Sequence, residues 1–393
     1  MNPFTVFVFL LTKDFKMAYP PSGPIGGINQ NLFPFKVNDE FYKEWVKITP
    51  LSNFMGSEMN RPIYRHKLRD GEGLQFRVGR LSALDYKNPV VGLDQRRGAT
   101  QQQQVDYDFV DTKSQSFPVR LEGSNIVKLG TPIKLPGAVR PQLIEACERN
   151  FNFDLFNEMT TNIYTDTALQ KPSYDRIIVG GYAPTRVTYN GLAGLTTVLN
   201  GFGAATAAVS GMSSTLLLNA KGIAERGGQT GTLEHAIRPA YMTTRSGWPM
   251  NDYILLMHPT CLQTLLTDNI FLSTTMARGT TIESDQPQAI HGADYIGKFF
   301  GTHIYLCNDL INYEVVSQDG TKRGAWNILM GAAAMTAGWH EFTNIAESTD
   351  VIERIQIFTT HEQRGQKALR FPSKADPTQR IEQGIVHVFA RIS

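Results

Sequence analysis

The sequence predicts an α+β protein in which strands and helices are grouped rather than strictly alternating. Three stretches carry that prediction. His66 to Gly123 reads as a long two-armed hairpin, Pro141 onward as one long helix, and residues 246–344 as short buried strands separated by helices. Strand-rich segments flank that last module, so it reads as an insertion into a β framework.

The hairpin follows from period-2 alternation. Leu74-Gln-Phe-Arg-Val78 alternates apolar and polar residues on the first arm. On the second, Val105, Tyr107 and Phe109 share one face and Asp106 and Asp108 the other; Phe117, Val119 and Leu121 continue the rhythm. Arg77 and Arg80 are expected to face Asp106, Asp108 and Asp111, cross-strand matches worth a few tenths to about 1 kcal/mol each. Between the arms, Ser82 to Gln104 forms a polar tip carrying Asp85, Tyr86, Lys87, Asp94, Arg96, Arg97 and the run Gln101–Gln104. Unstructured connections beyond about 12–15 residues are uncommon within one packed domain. Such a hairpin cannot bury itself, and the expectation is that it lies on another subunit.

Proline is favoured in the first helical turn, which sets the long helix to start near Pro141. Leu143, Cys147, Phe151, Leu155, Met159 and Ile163 recur every four residues and form one apolar stripe. Glu145, Glu148, Asp154 and Glu158 read as solvated carboxylates on its exposed side. Tyr174–Gly181 reads as a short strand, and residues 199–214 as a loop of small residues. Ser213 or Ser214 is placed to cap a second helix carrying Leu216, Leu217, Ala220, Ile223 and Ala224, with Gly227 ending it. Within the module, Tyr253–Met257, His303–Cys307 and Trp326–Met330 read as buried strands, and Pro259–Ile270 as a helix turning Leu262, Leu265 and Leu266 inward. Gly331–Gly338 is a run of small residues suited to tight packing, and Ile352–Thr359 and Gly384–Ile392 close the chain as strands.

Ahead of the hairpin, Phe4–Leu11 is a short apolar run followed by Lys13, Asp14 and Lys16. A secretory signal places its positive charge first, and a membrane span needs about 20 apolar residues, so neither is expected. Met17 reads as an alternative start. Residues 18–35 form an extended arm rich in proline and glycine, and Glu40–Ile48 a short helix.

At 393 residues the chain has room for more than one domain. A net charge of +2 excludes nucleic-acid binding through bulk charge, so any such contact must come from a local patch. The best patch is Arg61, Arg65, His66, Lys67 and Arg69, a candidate contact for nucleic acid or an acidic neighbour, against the plainer reading of a solvated arm. Cys147, Cys261 and Cys307 are too far apart for a CxxC pair or a disulfide framework and fit a reducing compartment.

Catalytic signatures are incomplete. Gly292 to Lys298 has the spacing of a phosphate-binding loop, but Phe299 stands where a Mg²⁺-binding Ser or Thr is required. Gly201-Phe-Gly203 lacks the third glycine of a dinucleotide fingerprint, since Thr206 occupies its place. His361-Glu362 opens like a zinc-protease helix, yet Gly365 replaces the second histidine. His258 before Pro259 reads as a structural histidine at a strand–helix junction. No cofactor, metal or catalytic residue is predicted.

The order of segments resembles the major capsid proteins of tailed bacteriophages, which share the HK97-like fold. The branch around the phage N4 capsid protein is similar in Phe54-Met55-Gly56, in Asp94-Gln95-Arg96-Arg97, in Met257-His258-Pro259 through Leu265 and Asp268, and in Leu329-Met-Gly331-Ala-Ala-Ala334. These motifs span residues 50–340. The glutamine run and the N-terminal extension depart from the pattern.

The resemblance implies an α+β HK97-like capsid fold. Its N-terminal arm is 1–65, its E-loop hairpin 66–123, its peripheral domain 124–245 with a long spine helix, its axial α/β domain 246–344, and its closing peripheral strands 345–393. It further implies a non-enzymatic subunit whose hexamers and pentamers close into an icosahedral head around double-stranded DNA, located in the virion and assembled in the bacterial cytoplasm. Implied partners are copies of itself, packaged DNA, and scaffold, portal and cement proteins, with no membrane. The implied inter-subunit contacts are Asp85, Tyr86, Lys87, Asp94, Arg96 and Arg97. The alternatives are an encapsulin-like nanocompartment shell, another virion component, and a cytosolic α/β enzyme using the 246–344 module.

Overall fold

In the computed structural model, the described residues are 50–68, 75–81, 105–122, 135–165, 176–180, 211–227, 236–245, 248–277, 294–316, 323–350, 355–372 and 380–392. The arm at 18–35, the helix expected at Glu40–Ile48 and the loop before Gly211 lie outside them.

After a 3-10 turn at Pro50–Phe54 come strands β1 (Met55–Gly56), β2 (Ile63–Lys67), β3 (Gln75–Leu81), β4 (Val105–Asp111) and β5 (Lys113–Glu122). Helix α1 (Leu135–Thr165), β6 (Ile177–Val179), α2 (Ser214–Arg226), β7 (Tyr241–Arg245) and β8 (Trp248–Met257) follow. Next are α3 (Thr260–Leu266), α4 (Asn269–Ala277), β9 (Tyr295–Phe299), β10 (Thr302–Leu306) and a 3-10 turn at Asn308–Tyr313. The chain continues through β11 (Val315–Val316), β12 (Arg323–Met330), β13 (Met335–Asp350) and β14 (Ile355–Ala368). Last come β15 (Arg370–Pro372), β16 (Arg380–Glu382) and β17 (Ile385–Ile392).

The central sheet runs β6-β17-β12-β8-β10-β9, with β7 added to β8 and β11 to β12. Its strands read as continuous apolar runs because both faces are covered. Ile254, Leu256, Ile328 and Met330 enter one core, while Tyr253, Leu255, Met257 and Leu329 enter the other. Each such aliphatic side chain contributes about 1.5–3 kcal/mol by leaving water. The second core is completed by α2, whose Leu216, Leu217, Ala220, Ile223 and Ala224 are buried. Ser213 Oγ accepts the Leu216 N–H at 3.3 Å at its start, and Gly227 closes it in the left-handed conformation at φ 83°.

The second sheet has the order β1-β2-β13-β14-β5. Helix α1 packs into the first core through Leu143, Cys147, Phe151, Leu155 and Met159, with Phe151 stacked on Trp339 of β13 at 5.6 Å. The chain passes from one sheet to the other at Gly331–Ala334. There the N–H groups of Gly331, Ala332 and Ala333 donate to the carbonyls of Gly384, Arg238 and Arg61. A Cβ on Gly331 would run into the Ile237 side chain and the Arg238 carbonyl, so the crossing requires small residues.

Four expectations are corrected. The long helix begins at Leu135, not near Pro141; the proline sits inside it, in the second turn, where it forfeits the bond a residue there would give to the Gly137 carbonyl. The helix expected at Pro259–Ile270 is two helices, because the Asp268 carboxylate accepts the N–H groups of Ile270 and Phe271 and so starts α4 afresh. The same carboxylate accepts the Ser214 N–H at 2.7 Å, capping α2 as well. Residues 335–350, partly within the predicted module, form one strand of the second sheet. Finally Ile385–Ile392, assigned to the closing peripheral strands, pairs between β12 and β6 in the central sheet.

Candidate functional site

The hairpin is the candidate site that the sequence singles out. Strands β3 and β4 pair antiparallel from Gln75 opposite Asp111 to Leu81 opposite Val105. The second arm ends there: Lys113–Glu122 leaves the ribbon and pairs with β14 at the edge of the second sheet. Directly opposed residues share a face, which sorts the charges differently from the expectation. Arg80 stands opposite Asp106, whereas Arg77 stands opposite Phe109, its guanidinium 5.4 Å from the ring centre. Asp111 accepts from the Gln75 amide at 2.5 Å. Asp108, opposite Val78, is fully buried on the same face as Arg80 and on the face opposite to Arg77.

The expectation that the ribbon cannot bury itself is also corrected in part. Phe76, Val78 and Val110 turn inward onto Leu68, Ala333, Leu369 and Phe371, a third apolar cluster separate from the two large cores. His66 of β2 stacks on Phe76 at 5.6 Å, and the Arg80 guanidinium lies 5.7 Å from the Phe371 ring. Among these side chains the Asp108 carboxylate accepts from the Lys367 ammonium at 2.8 Å and the Arg370 N–H at 2.9 Å. The opposite face stays outside. Val105, Tyr107 and Phe109 are exposed at 41%, 48% and 42%, three apolar side chains in a row on consecutive outward positions of β4.

Asp85, Tyr86, Lys87, Asp94, Arg96 and Arg97 at the tip lie outside the described residues, as does Arg69. The rest of the basic cluster sits on sheet structure rather than a free arm. Arg65 is exposed on β2, which is paired on both sides, by β1 and β13. Lys67 pairs through its backbone with Trp339, and Arg61 lies in the turn before β2, its carbonyl held by Ala333.

Carboxylates read as solvated on α1 include one with a fixed role. Asp154 accepts from Arg364 of β14 at 2.8 Å and from Gln115 of β5 at 3.0 Å. Arg364 also pairs with buried Glu362 at 3.0 Å and covers the Phe151 ring at 5.0 Å. Burial pushes the Glu362 carboxyl up despite Arg364 and a hydrogen bond from Thr343. This network ties the long helix to the second sheet across the outer edge of the first core.

The other groups singled out in the sequence make contacts within the fold. Lys298, the lysine of the phosphate-loop spacing, lies in β9 and pairs with buried Asp252 at 2.6 Å, and strand β10 follows it where a phosphate-binding loop would begin its helix. The His258 ring meets Thr260 at Nδ1 and Glu314 at Nε2, and burial lowers its pKa. All three cysteines are free and buried; desolvation pushes Cys147 and Cys307 up to about 12 and Cys261 up to about 11, so none is a thiolate near neutral pH. Among the described residues no group of three or more His, Cys, Asp or Glu is placed to hold a metal ion. No helix among them is long and apolar enough to cross a membrane.

No protein-family model and no curated protein matches the sequence. Solved structures do match in shape. The capsid of Ralstonia phage GP4 aligns with a TM-score of 0.62 at 16% identity, covering 86% of this chain and 90% of that one. The capsid asymmetric unit of cyanophage Pam1 aligns at 0.65 and 12% identity, covering 88% and 93%. The capsid of Helicobacter pylori bacteriophage KHP30 aligns at 0.57 and 11%, covering 87% and 90%. The likeness runs over nearly the full length of both partners in each case. This chain has the fold of phage capsid proteins.

Proposed function

We propose that this chain is the major capsid protein of a tailed bacteriophage, a non-enzymatic shell subunit with the HK97-like layout and kin to the phage N4 branch. Its hexamers and pentamers close into an icosahedral head around double-stranded DNA, in the host cytoplasm, with scaffold, portal and cement proteins as further partners. The hairpin is the assembly element: the tip residues Asp85, Tyr86, Lys87, Asp94, Arg96 and Arg97 and the outward stripe reach a neighbouring copy. Arg61, Arg65, Lys67 and Arg69 contact DNA or an acidic neighbour.

The observation that carries the reading is the exposed stripe Val105, Tyr107 and Phe109 on a ribbon whose other face is fastened to its own subunit. Apolar side chains aligned on an exposed strand mark a contact surface. Each contact of three side chains is weak, but a shell repeats it around every subunit, so closure gains the sum.

Electron microscopy of the purified full chain, with nucleic-acid content read by absorbance, tests the proposal. Closed shells with hexagonal and pentagonal clusters are expected, with DNA inside when the protein comes from virions. Deleting residues 85–104 should leave a soluble, folded subunit that no longer closes shells. Normal shells from that deletion would remove the hairpin from assembly, and packaged protein in place of DNA would favour the nanocompartment alternative.

A further inference from the structure

A two-stranded ribbon does not set its own angle to the body it leaves. Apolar burial holds the base of this one down, but that force has no direction. The fixed direction has to come from contacts with geometry, and two sets are present.

The first is a clamp. Asp108 Oδ1 accepts from Lys367 Nζ at 2.8 Å and from the Phe109 N–H at 3.0 Å, and Oδ2 accepts the Arg370 N–H at 2.9 Å. Lys367 Nζ also donates to the Phe109 carbonyl at 2.9 Å. Body residues 367 and 370 therefore grip both the side chain and the main chain of 108–109, which resists rotation as well as sliding. The second is a seat. Gly338 and Gly365 face each other across β13 and β14. A Cβ on Gly338 would stand 2.6 Å from Phe76 Cζ, and one on Gly365 would meet the Asp111 carbonyl group and lie 3.2 Å from Thr112 Cα. The ribbon lies directly on bare backbone.

A carboxylate is an unexpected choice among Phe76, Val78 and Val110, because a buried charge gains little over a well-packed apolar residue. Its return is a unique arrangement.

We propose that Asp108 is a positioning residue, clamped by Lys367 and the Arg370 N–H over the Gly338–Gly365 seat, which sets the angle of the hairpin in the free subunit before it meets a neighbour. This rests on the shell reading above for its purpose, though not for its test.

The experiment uses the full chain with Asp108→Val, which restores the apolar alternation, and Lys367→Met, with Lys367→Arg as the conservative variant. In unassembled subunits, amide exchange over residues 105–111 is expected to quicken on the order of 10-fold in both disruptive variants, with an unchanged global urea midpoint. Assembled material should lose closed shells in favour of open or irregular sheets, and Lys367→Arg should restore both readouts. Wild-type exchange in both disruptive variants overturns the proposal. Should Asp108→Val fail to fold, Lys367→Met decides alone, since its side chain is a quarter exposed. A wild-type chain that never forms shells removes the shell reading, while the exchange measurement still judges the clamp.

Discussion

In the central sheet, neighbouring residues of one strand serve opposite cores: Ile254 and Leu256 face one way, Leu255 and Met257 the other. In the hairpin, Phe76, Val78 and Val110 alone supply the apolar grip, a carboxylate sits among them, and the far face leaves Val105, Tyr107 and Phe109 exposed beside Arg77. The sheet is held by area and the hairpin by a small area plus a few directed polar contacts. Area supplies stability without orientation. Polar contacts contribute little net stability but prescribe a geometry. Under the proposed shell function, a subunit that first folds and then meets copies of itself at a defined angle has a use for both.

The comparison breaks most easily at the sheet. Leu255→Ala, at a fully buried position, should lower the unfolding free energy by about 2–5 kcal/mol in urea titration. A loss under about 1 kcal/mol would mean that the sheet is not the foundation of the fold.

Glu382 joins the two regions. It accepts from His387 of the central sheet at 3.0 Å and from Arg370, beside the clamp, at 3.2 Å. Burial opposes its charge, but His387, Arg370 and Arg176 together outweigh it and hold the carboxyl at about 2. A depressed folded-state pKa stabilises fully above the unfolded value of about 4.5, and the contribution, on the order of 3 kcal/mol, is lost as pH falls toward about 2. Glu382→Gln should flatten that acid limb when urea midpoints at pH 7, 4.5 and 3 are compared with wild type. Parallel slopes in the two proteins would place the acid sensitivity elsewhere.

The smallest effect on stability sharpens the contrast furthest. Replacing Tyr107 and Phe109 together by Ser should change subunit stability by under about 0.5 kcal/mol, as for exposed positions generally, while preventing shell closure in micrographs. A stability loss above about 2 kcal/mol would make the stripe part of the subunit's own core.

The same contrast explains what the sequence made legible. Tyr253–Met257 is readable because burial on both faces leaves an unbroken apolar run, and Ser213 and Gly227 because caps are local chemistry. Asp268 was readable in principle, an N-cap residue just before Asn-Ile-Phe, but the apolar rhythm from Leu262 to Phe271 carries straight through it. Pro141 misled because a proline favours the first turn, while here the helix runs six residues further back to Leu135 and the proline stands in its second turn. For the hairpin, alternation groups the side chains correctly but does not give Asp108 its role, since its partners Lys367 and Arg370 lie 259 and 262 residues away. The seat was equally hidden: Gly338 and Gly365 meet only once β13 and β14 pair.

The three buried thiols give the folded chain a built-in chemical clock. Cys147 and Cys307 lie against the first core and Cys261 in the second, so a thiol reagent finds nothing to attack until a core opens. Labelling rates at the three positions, separated by mass spectrometry, would report which core yields first, in the lone subunit and in any particle it builds, without an introduced probe.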